Sequence, residues 1–525
     1  MNSPSPSSVS GWAMAPVSAL AGLAASASFM PFNVWPLAFV AVAVLVWTAS
    51  RAGRLRAAVG QGWAFGLVFM GTSLVWQTEI LILSYTALTV MMSAFYAGLG
   101  GALFAVRRLP AAPLWGAAAW TAMEWLTSVV PFGGFAWMRL GYTQLDSPLA
   151  AFYPLTGAAS VTFWIALTGA LLARLADAGR VRTGIALGLT AALVSAAALT
   201  GLPAASAPEQ SVNVGWVQPG APGGGVYGLG PARTITYNSA AETGRLMARV
   251  RAGDEPAPAF LVWPENSTDM DPRSDAPTLR AVESAVAGAG LGILVGSIYS
   301  DDAREERQTV AVWWDADGPE LAYAKRNLVP FGEWIPFRDV LLPLIPELRY
   351  VGYQSVPGTT PGTFPVTLPD GREITGGVVI CYEVVYPETV YQAARQAQVM
   401  IVQSSNAMYQ GTIQIDQQFA ATRVRAAEMR REILVVTTSG ISGLIGTHGE
   451  VLERVPDSVP ASGVHALPLR TGVTPAMVLS RFVEGALAAV GAVGVLLGMV
   501  TTARRRGDGT MDVQQRPASG RAKEN

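Results

Sequence analysis

The chain has 525 residues, of which 51% are hydrophobic and only 14% charged, with a formal net charge of −1. Soluble globular chains carry about 25% charge, so lipid rather than water is the expected solvent for much of this one. The near-zero net charge gives no basis for nucleic-acid binding, and the single cysteine, Cys381, rules out an intrachain disulfide.

No charged residue precedes Arg51, and further uncharged runs cover 57–78, 80–106, 147–173, 183–208 and 485–503. Runs of about 20 apolar residues can cross a bilayer. Spans are expected at 12–30, 34–50, 57–77, 83–106, 111–130, 153–173, 183–203 and 484–503. The N-terminus lacks the basic region of a signal peptide, so the first two are expected to persist as helices. Arg51, Arg54 and Arg56 follow the second span, Arg107 and Arg108 the fourth, Arg174, Arg180 and Arg182 the sixth, and Arg504 to Arg506 the eighth. The positive-inside rule puts those ends, and both termini, in the cytoplasm. The segment between spans seven and eight then lies outside. Glu124, within span five, is expected to play a structural part beside Arg139.

This divides the chain into a bundle of about seven helices at 1–208, a soluble domain at 209–478, a closing transmembrane helix at 479–506 and a disordered tail at 507–525. In the soluble domain, strands are expected at 212–218, 259–263, 292–298, 309–315, 375–381, 399–404 and 433–438. Helices are expected at 237–251, 277–288, 388–397 and 416–430. The alternation argues for an α/β layered fold.

Three stretches there carry chemistry. Leu261-Val262-Trp263-Pro264-Glu265 ends an apolar strand with a carboxylate on the turn, suited to general-base work. Tyr323-Ala324-Lys325 places a lysine after a strand, with Glu333 following in a turn-rich segment. Of the 36 basic residues only Lys325 and Lys523 are lysines, and Lys523 falls in the tail. Lysine, unlike arginine, is a compact cation with a tunable pKa. Gly376 to Ile380 forms an apolar strand that delivers Cys381, followed by Tyr382 and Glu383. Taken singly, these also fit surface turns and a small buried thiol; the combination is far more specific.

In that order, Glu265, Lys325 and Cys381 resemble the triad of the nitrilase superfamily. The whole chain is similar to its membrane branch, the apolipoprotein N-acyltransferases. The likeness includes Trp263-Pro264-Glu265, the Lys325 to Glu333 stretch, Cys381-Tyr382-Glu383, Ser405-Asn406, the segments 423–428 and 446–450, Glu124-Trp125-Leu126, and Trp137 to Tyr142. The resemblance implies a multi-span α-helical membrane bundle plus an extracytoplasmic α/β nitrilase-like (αββα sandwich) domain. The chain departs from the family at Ala407-Met408-Tyr409-Gln410-Gly411, at Asp416-Gln417-Gln418 and in the Gly-rich stretch 218–230, which bear on substrate fit and the entrance.

The resemblance further implies a bacterial inner-membrane enzyme. Its donor would be a phospholipid and its acceptor the α-amine of a diacylglyceryl-cysteine on an apolipoprotein. Glu265 would take the thiol proton, Lys325, with the Tyr382 N–H, would stabilise the oxyanion, and Cys381 would carry the acyl group as a thioester in a ping-pong cycle. An ammonium nearby would lower the thiol pKa. Glu333, Tyr382 and Glu383 would support the site. Trp334 and Phe337 would face either lipid or core. No metal or cofactor is expected, the two histidines being His448 and His465, and the protein is expected to be a monomer. A membrane-anchored amidase using water, a transporter and an inactive scaffold stay open as alternatives.

Overall fold

The computed structural model describes residues 13–514 apart from 176–179, 201–202, 226 and 369. Lys523 and positions 515–525 lie outside the described residues. Helices occupy each of the eight stretches expected to span: Ala15–Ala27, Pro36–Arg51, Leu55–Ser73, Ile82–Val106, Ala112–Thr127, Ala158–Arg174, Arg180–Thr200 and Pro475–Gln514. Two of them, Ile82–Val106 and the Pro475–Arg504 part of the last, are long and apolar enough to cross a membrane by length and composition. Four shorter apolar helices accompany them. The last helix also corrects one expectation, because it runs past 507 to Gln514. Extending an existing helix needs no new nucleus, so a polar sequence can continue an apolar one.

Small residues let these helices approach closely. A Cβ on Gly62 would lie 2.1 Å from the carbonyl oxygen of Tyr96, and Gly100 meets the Ala58 carbonyl in the same way on the other side of the contact. Such backbone-to-backbone packing is what helices use where water supplies no driving force between them.

Residues 211–468 form two stacked sheets. One runs, in spatial order, Ala461–Pro468, Ser211–Gln218, Phe260–Val262, Ile293–Asp301, Glu306–Asp315 and Gly318–Ala324, with Gln354–Ser355 beside Glu306–Asp315. The other runs Val451–Arg454, Gly443–Ile445, Ile433–Thr437, Val399–Ser404, Glu373–Ile380 and Thr363–Thr367. Each has three parallel strands at its centre and antiparallel strands beside them, and the short Gln354–Ser355 strand runs parallel to Glu306–Asp315. Val214, Phe260 and Leu294 from the first sheet share one apolar core with Val378, Ile401 and Val436 from the second. Thr234–Ala252 and Ala276–Ala289 bury their apolar sides on the first sheet. Pro387–Ala394 and Gln414–Met429 cover the second, and their outer sides join the core of the helical bundle. The layers are therefore α-β-β-α, the sandwich the resemblance implied, seated by one face on the helices.

The seat is specific. Gln417 accepts hydrogen bonds from the indoles of Trp76 at 3.1 Å and Trp137 at 2.7 Å, and donates to the Ser73 carbonyl at 3.0 Å. The Tyr382 ring stacks on Phe135 and Trp137 with interplanar angles of 24° and 19°. Glu124 is buried and accepts from Thr162 at 2.7 Å and from the Leu140 N–H at 3.0 Å, with Arg139 at 3.7 Å. It braces the 128–140 loop on which Tyr382 rests, a structural part.

Gly62→Ala should lower the thermal midpoint in detergent, because overpacking against fixed backbone costs about 1–3 kcal/mol. Gly98→Ala, on a neighbouring helix with nothing within 4 Å, should leave it unchanged or raise it. Equal midpoints for both would contradict the close packing described.

Candidate active site

The three stretches singled out in the sequence meet at the C-terminal ends of the central strands, where α/β sheets place ligands. Each arrives by a different local device. Strand Phe260–Val262 is followed by Trp263-Pro264 and then Glu265 in a turn. Gly296 on the adjacent strand leaves room for this turn, since a Cβ there would lie 2.0 Å from the Pro264 carbonyl. Strand Gly318–Ala324 delivers Lys325. Strand Glu373–Ile380 ends one residue before Cys381, whose φ of 53° turns the chain sharply. A non-glycine residue in the left-handed region is uncommon and strained, and such strain concentrates at functional sites.

Lys325 is 2% exposed, and its Nζ donates to Glu265 Oε1 at 3.1 Å and to Glu333 Oε1 at 2.8 Å. Burial alone would lower its pKa, but the two carboxylates outweigh burial and hold the ammonium well above its ordinary value. It stays a cation throughout the physiological range. Glu265 is buried, and its second oxygen accepts from the Ser405 N–H at 2.9 Å. Its own carbonyl accepts from the Thr438 hydroxyl at 3.1 Å. Glu265 is thus tied to both sheets. Gln403 reinforces this by donating across the sandwich to the Trp263 carbonyl at 2.6 Å.

Cys381 is half-buried as a residue, but its thiol is enclosed. Burial, then the Glu265 carboxylate, pushes the thiol up to about 12, against the lowering by Lys325. This corrects the expectation of a thiol activated by the ammonium. The resting sulfur is therefore held as a thiol, with the Glu265 carboxylate near it.

The supporting residues fall into distinct roles. Glu333 accepts from the Val329 N–H at 2.7 Å, so one carboxylate both folds its own loop and completes the Lys325 cage. Glu383 is fully buried and accepts from Tyr323 OH at 2.6 Å and from the N–H groups of Arg326, Asn327 and Ile380 at 2.7, 3.1 and 2.8 Å. It locks the lysine loop to the cysteine turn. The Tyr382 side chain faces the helical bundle, not the sulfur. Phe132 meets the rings of Phe331, Trp334 and Phe337 edge-on, and Phe337 is 71% exposed. Phe337 is therefore outside the core.

A polar wall beside the sulfur was not anticipated. Gln418 Oε1 lies 4.0 Å from Cys381 Sγ and accepts from Asn406 at 2.8 Å and Gln414 at 2.9 Å, while its amide donates to Ser404 at 2.8 Å. Gln414 and Gln418 are one helical turn apart, which was the available signal. Among the described residues, no group of three or more His, Cys, Asp or Glu side chains is placed to hold a metal.

Residues 21–171 match the family described as the apolipoprotein N-acyltransferase N-terminal domain, and residues 248–460 match carbon-nitrogen hydrolase. The apolipoprotein N-acyltransferase of Mycolicibacterium smegmatis is 33% identical over 93% of this chain and 86% of its own. The chain belongs to the apolipoprotein N-acyltransferase family. It is accordingly an acyltransferase enzyme. The namesake from Coxiella burnetii is 27% identical over 87% of this chain and 94% of its own. Among solved structures, a nitrilase-superfamily amidase from Nesterenkonia covers 50% of this chain and 93% of its own at 17% identity, with a TM-score of 0.34.

Two outcomes test the geometry. Glu383→Ala orphans three backbone N–H groups and a phenol, at about 1–3 kcal/mol each when left buried. The variant should unfold well below wild type in a thermal melt, and an unchanged midpoint would deny it the locking role. Second, labelling of Cys381 by iodoacetamide should rise about tenfold per pH unit from pH 7 to 10 with no plateau, because a thiol near 12 stays on its thiolate slope there. Glu265→Gln removes a negative neighbour, so labelling at fixed pH should accelerate. A plateau near neutral pH would show a resting thiolate instead.

Proposed function

We propose that this enzyme transfers a fatty acyl chain from a phospholipid to the α-amine of an N-terminal diacylglyceryl-cysteine on lipoproteins, through a thioester on Cys381. The observation that carries the reading is the convergence of Cys381, the Lys325 ammonium and the Glu265 carboxylate in one enclosed site of an N-acyltransferase fold.

In the first half-reaction Glu265 takes the thiol proton as sulfur attacks the ester carbonyl. The S–C bond forms while Lys325, with the Tyr382 N–H, stabilises the oxyanion. The ester C–O bond breaks, and the lysophospholipid oxygen leaves with the proton from Glu265. In the second, the amine attacks the thioester, Glu265 takes an N–H proton, the C–S bond breaks and the proton returns to sulfur. Each half-reaction conserves protons at the enzyme, and the cycle is ping-pong.

The helices form the membrane-embedded part, in the bacterial inner membrane. Large apolar side chains on their outer faces support this: Leu20 and Leu23, Ile82 and Leu83, Leu189 and Leu193, and Leu496 and Val500 are all exposed. Arg51, Arg107 and Arg174 end their helices on the side away from the α/β sandwich. That end is cytoplasmic by the positive-inside rule, both termini lie there, and the sandwich faces outward. Phe331 and Phe337, exposed beside Phe132, then sit where an acyl chain would enter. Both substrates are lipid-anchored, and confinement to the same surface raises their effective concentration.

Purified protein is incubated with phospholipid and its intact mass recorded. Wild type should gain one fatty-acyl increment and lose it on adding a diacylglyceryl-cysteine peptide, while Cys381→Ala gains none. No increment together with hydrolysis of small amides would favour a nitrilase-type amidase instead.

A further inference from the structure

The turn after strand Val399–Ser404 carries one polar group that the site described above leaves unused. Asn406 enters the left-handed region at φ 55°, and Ala407–Tyr409 form a single tight turn. Three neighbours hold that turn in place. The Asn406 carbonyl accepts from the Tyr409 N–H at 2.9 Å, and the Asn406 side chain donates to Gln414 and Gln418 beside the sulfur. The Gly225 N–H donates to the Met408 carbonyl at 2.9 Å, and a Cβ on Gly228 would lie 2.4 Å from the Ala407 carbonyl. The Tyr409 ring meets Trp76 of the bundle edge-on at 5.1 Å. Tyr409 is thus fixed where the catalytic centre, the Gly-rich stretch and the bundle meet.

Its hydroxyl, by contrast, has no hydrogen-bond partner among the described residues, although the residue is half-buried. The hydroxyl lies in the field of Cys381, Glu333, Lys325 and Glu265, and burial, then Cys381 and Glu333, hold its pKa well above the ordinary phenol value. It stays a neutral donor throughout the physiological range. A buried phenol usually finds a partner, and a fixed donor without one needs no reorganisation when an acceptor arrives. The neighbouring donors are already committed. Lys325 serves two carboxylates, and the side-chain amides of Asn406, Gln414 and Gln418 bond to one another and to Ser404.

Of the groups that the proposed substrates bring, few need such a donor. On the proposed route the reacting carbonyl has Lys325 and the Tyr382 N–H, the acyl chain is apolar, and the incoming amine brings donors of its own. The glycerophosphate of the acyl donor remains. It is anionic, and the nearby cation is already matched by Glu265 and Glu333. A neutral hydroxyl can still take a phosphate oxygen in a strong, charge-assisted hydrogen bond. We infer that the Tyr409 hydroxyl binds a glycerophosphate oxygen of the acyl donor and so selects phospholipid for the first half-reaction. The inference rests on the acyl-transfer reading above.

Full-length protein in detergent is loaded from dipalmitoyl phosphatidylethanolamine or from p-nitrophenyl palmitate, an ester of the same acid without glycerophosphate. Acyl gain on Cys381 is followed over time by intact mass. Tyr409→Phe keeps the ring against Trp76 and loses only the hydroxyl. At low donor concentration, the ratio of phospholipid to nitrophenyl loading rates should fall about tenfold from wild type to Tyr409→Phe. Discharge of the preloaded variant by a diacylglyceryl-cysteine peptide should run at the wild-type rate. An unchanged loading ratio overturns the inference. Equal slowing of both loadings and of the discharge would put the hydroxyl at the reacting carbonyl and overturn the glycerophosphate assignment. Wild type that loads from neither donor would refute the acyl-transfer reading itself, and the inference with it.

Discussion

A buried ammonium held between two carboxylates is the constraint around which the rest of the site is built. A lone cation taken out of water costs several kcal/mol, so Lys325 is tolerable only with excellent partners. Those partners come from far apart in the chain. Glu265 arrives on the turn after a central strand, and Glu333 on a loop beyond Lys325. Satisfying the cation therefore brings together the turn and the loop, and Glu383 adds the cysteine turn by gripping Arg326, Asn327 and Ile380 at once. The order of causes runs from one desolvated charge to the shape of the whole active-site rim.

The same logic explains how the sandwich sits on the helices. The cysteine turn has two faces. Cys381 looks into the site, and Tyr382, its neighbour, packs between Phe135, Trp137 and Tyr386. The helix Gln414–Met429 is likewise two-sided, with Gln418 beside the sulfur and Gln417 bonded to Trp76 and Trp137. Adjacent residues on one element thus serve the chemistry and the docking. A shift of the sandwich relative to the helices would disturb the wall around the sulfur, because Gln417 and Gln418 sit side by side on one helix.

Much of this was legible in the sequence, for reasons that differ by element. The apolar runs were plain because they lack charge over whole turns. The central strands were plain because burial on both faces leaves them uniformly apolar, as in Val399–Ser404 and Ile433–Thr437. Flanking strands such as Thr363–Thr367 and Val451–Arg454 were not anticipated: they carry proline, glutamate or arginine and are partly or wholly exposed. Glu265, Lys325 and Cys381 stood out by residue type at strand ends. Gln414 and Gln418 did not: their one signal, a spacing of one helical turn, is common on helices and names no chemistry until the neighbours are known. The direction of the thiol pKa was also hidden. Sequence names the ammonium, but only the fold reveals that burial and Glu265 together outweigh it.

That balance bears on why one carboxylate suffices on the proposed route. A thiol held near 12 is a poor leaving group as a bare thiolate, so the thioester must regain a proton at sulfur as it collapses. Glu265 holds the proton taken from the incoming amine at that moment and stands between the two needs. Were the thiol instead a stable thiolate paired with Lys325, sulfur would leave unaided and the proton on Glu265 would have no destination. On the proposed route, the high thiol pKa and the Glu265 carboxylate would therefore act together: release of the acyl chain from sulfur would be tied to a proton delivered from the attacking acceptor.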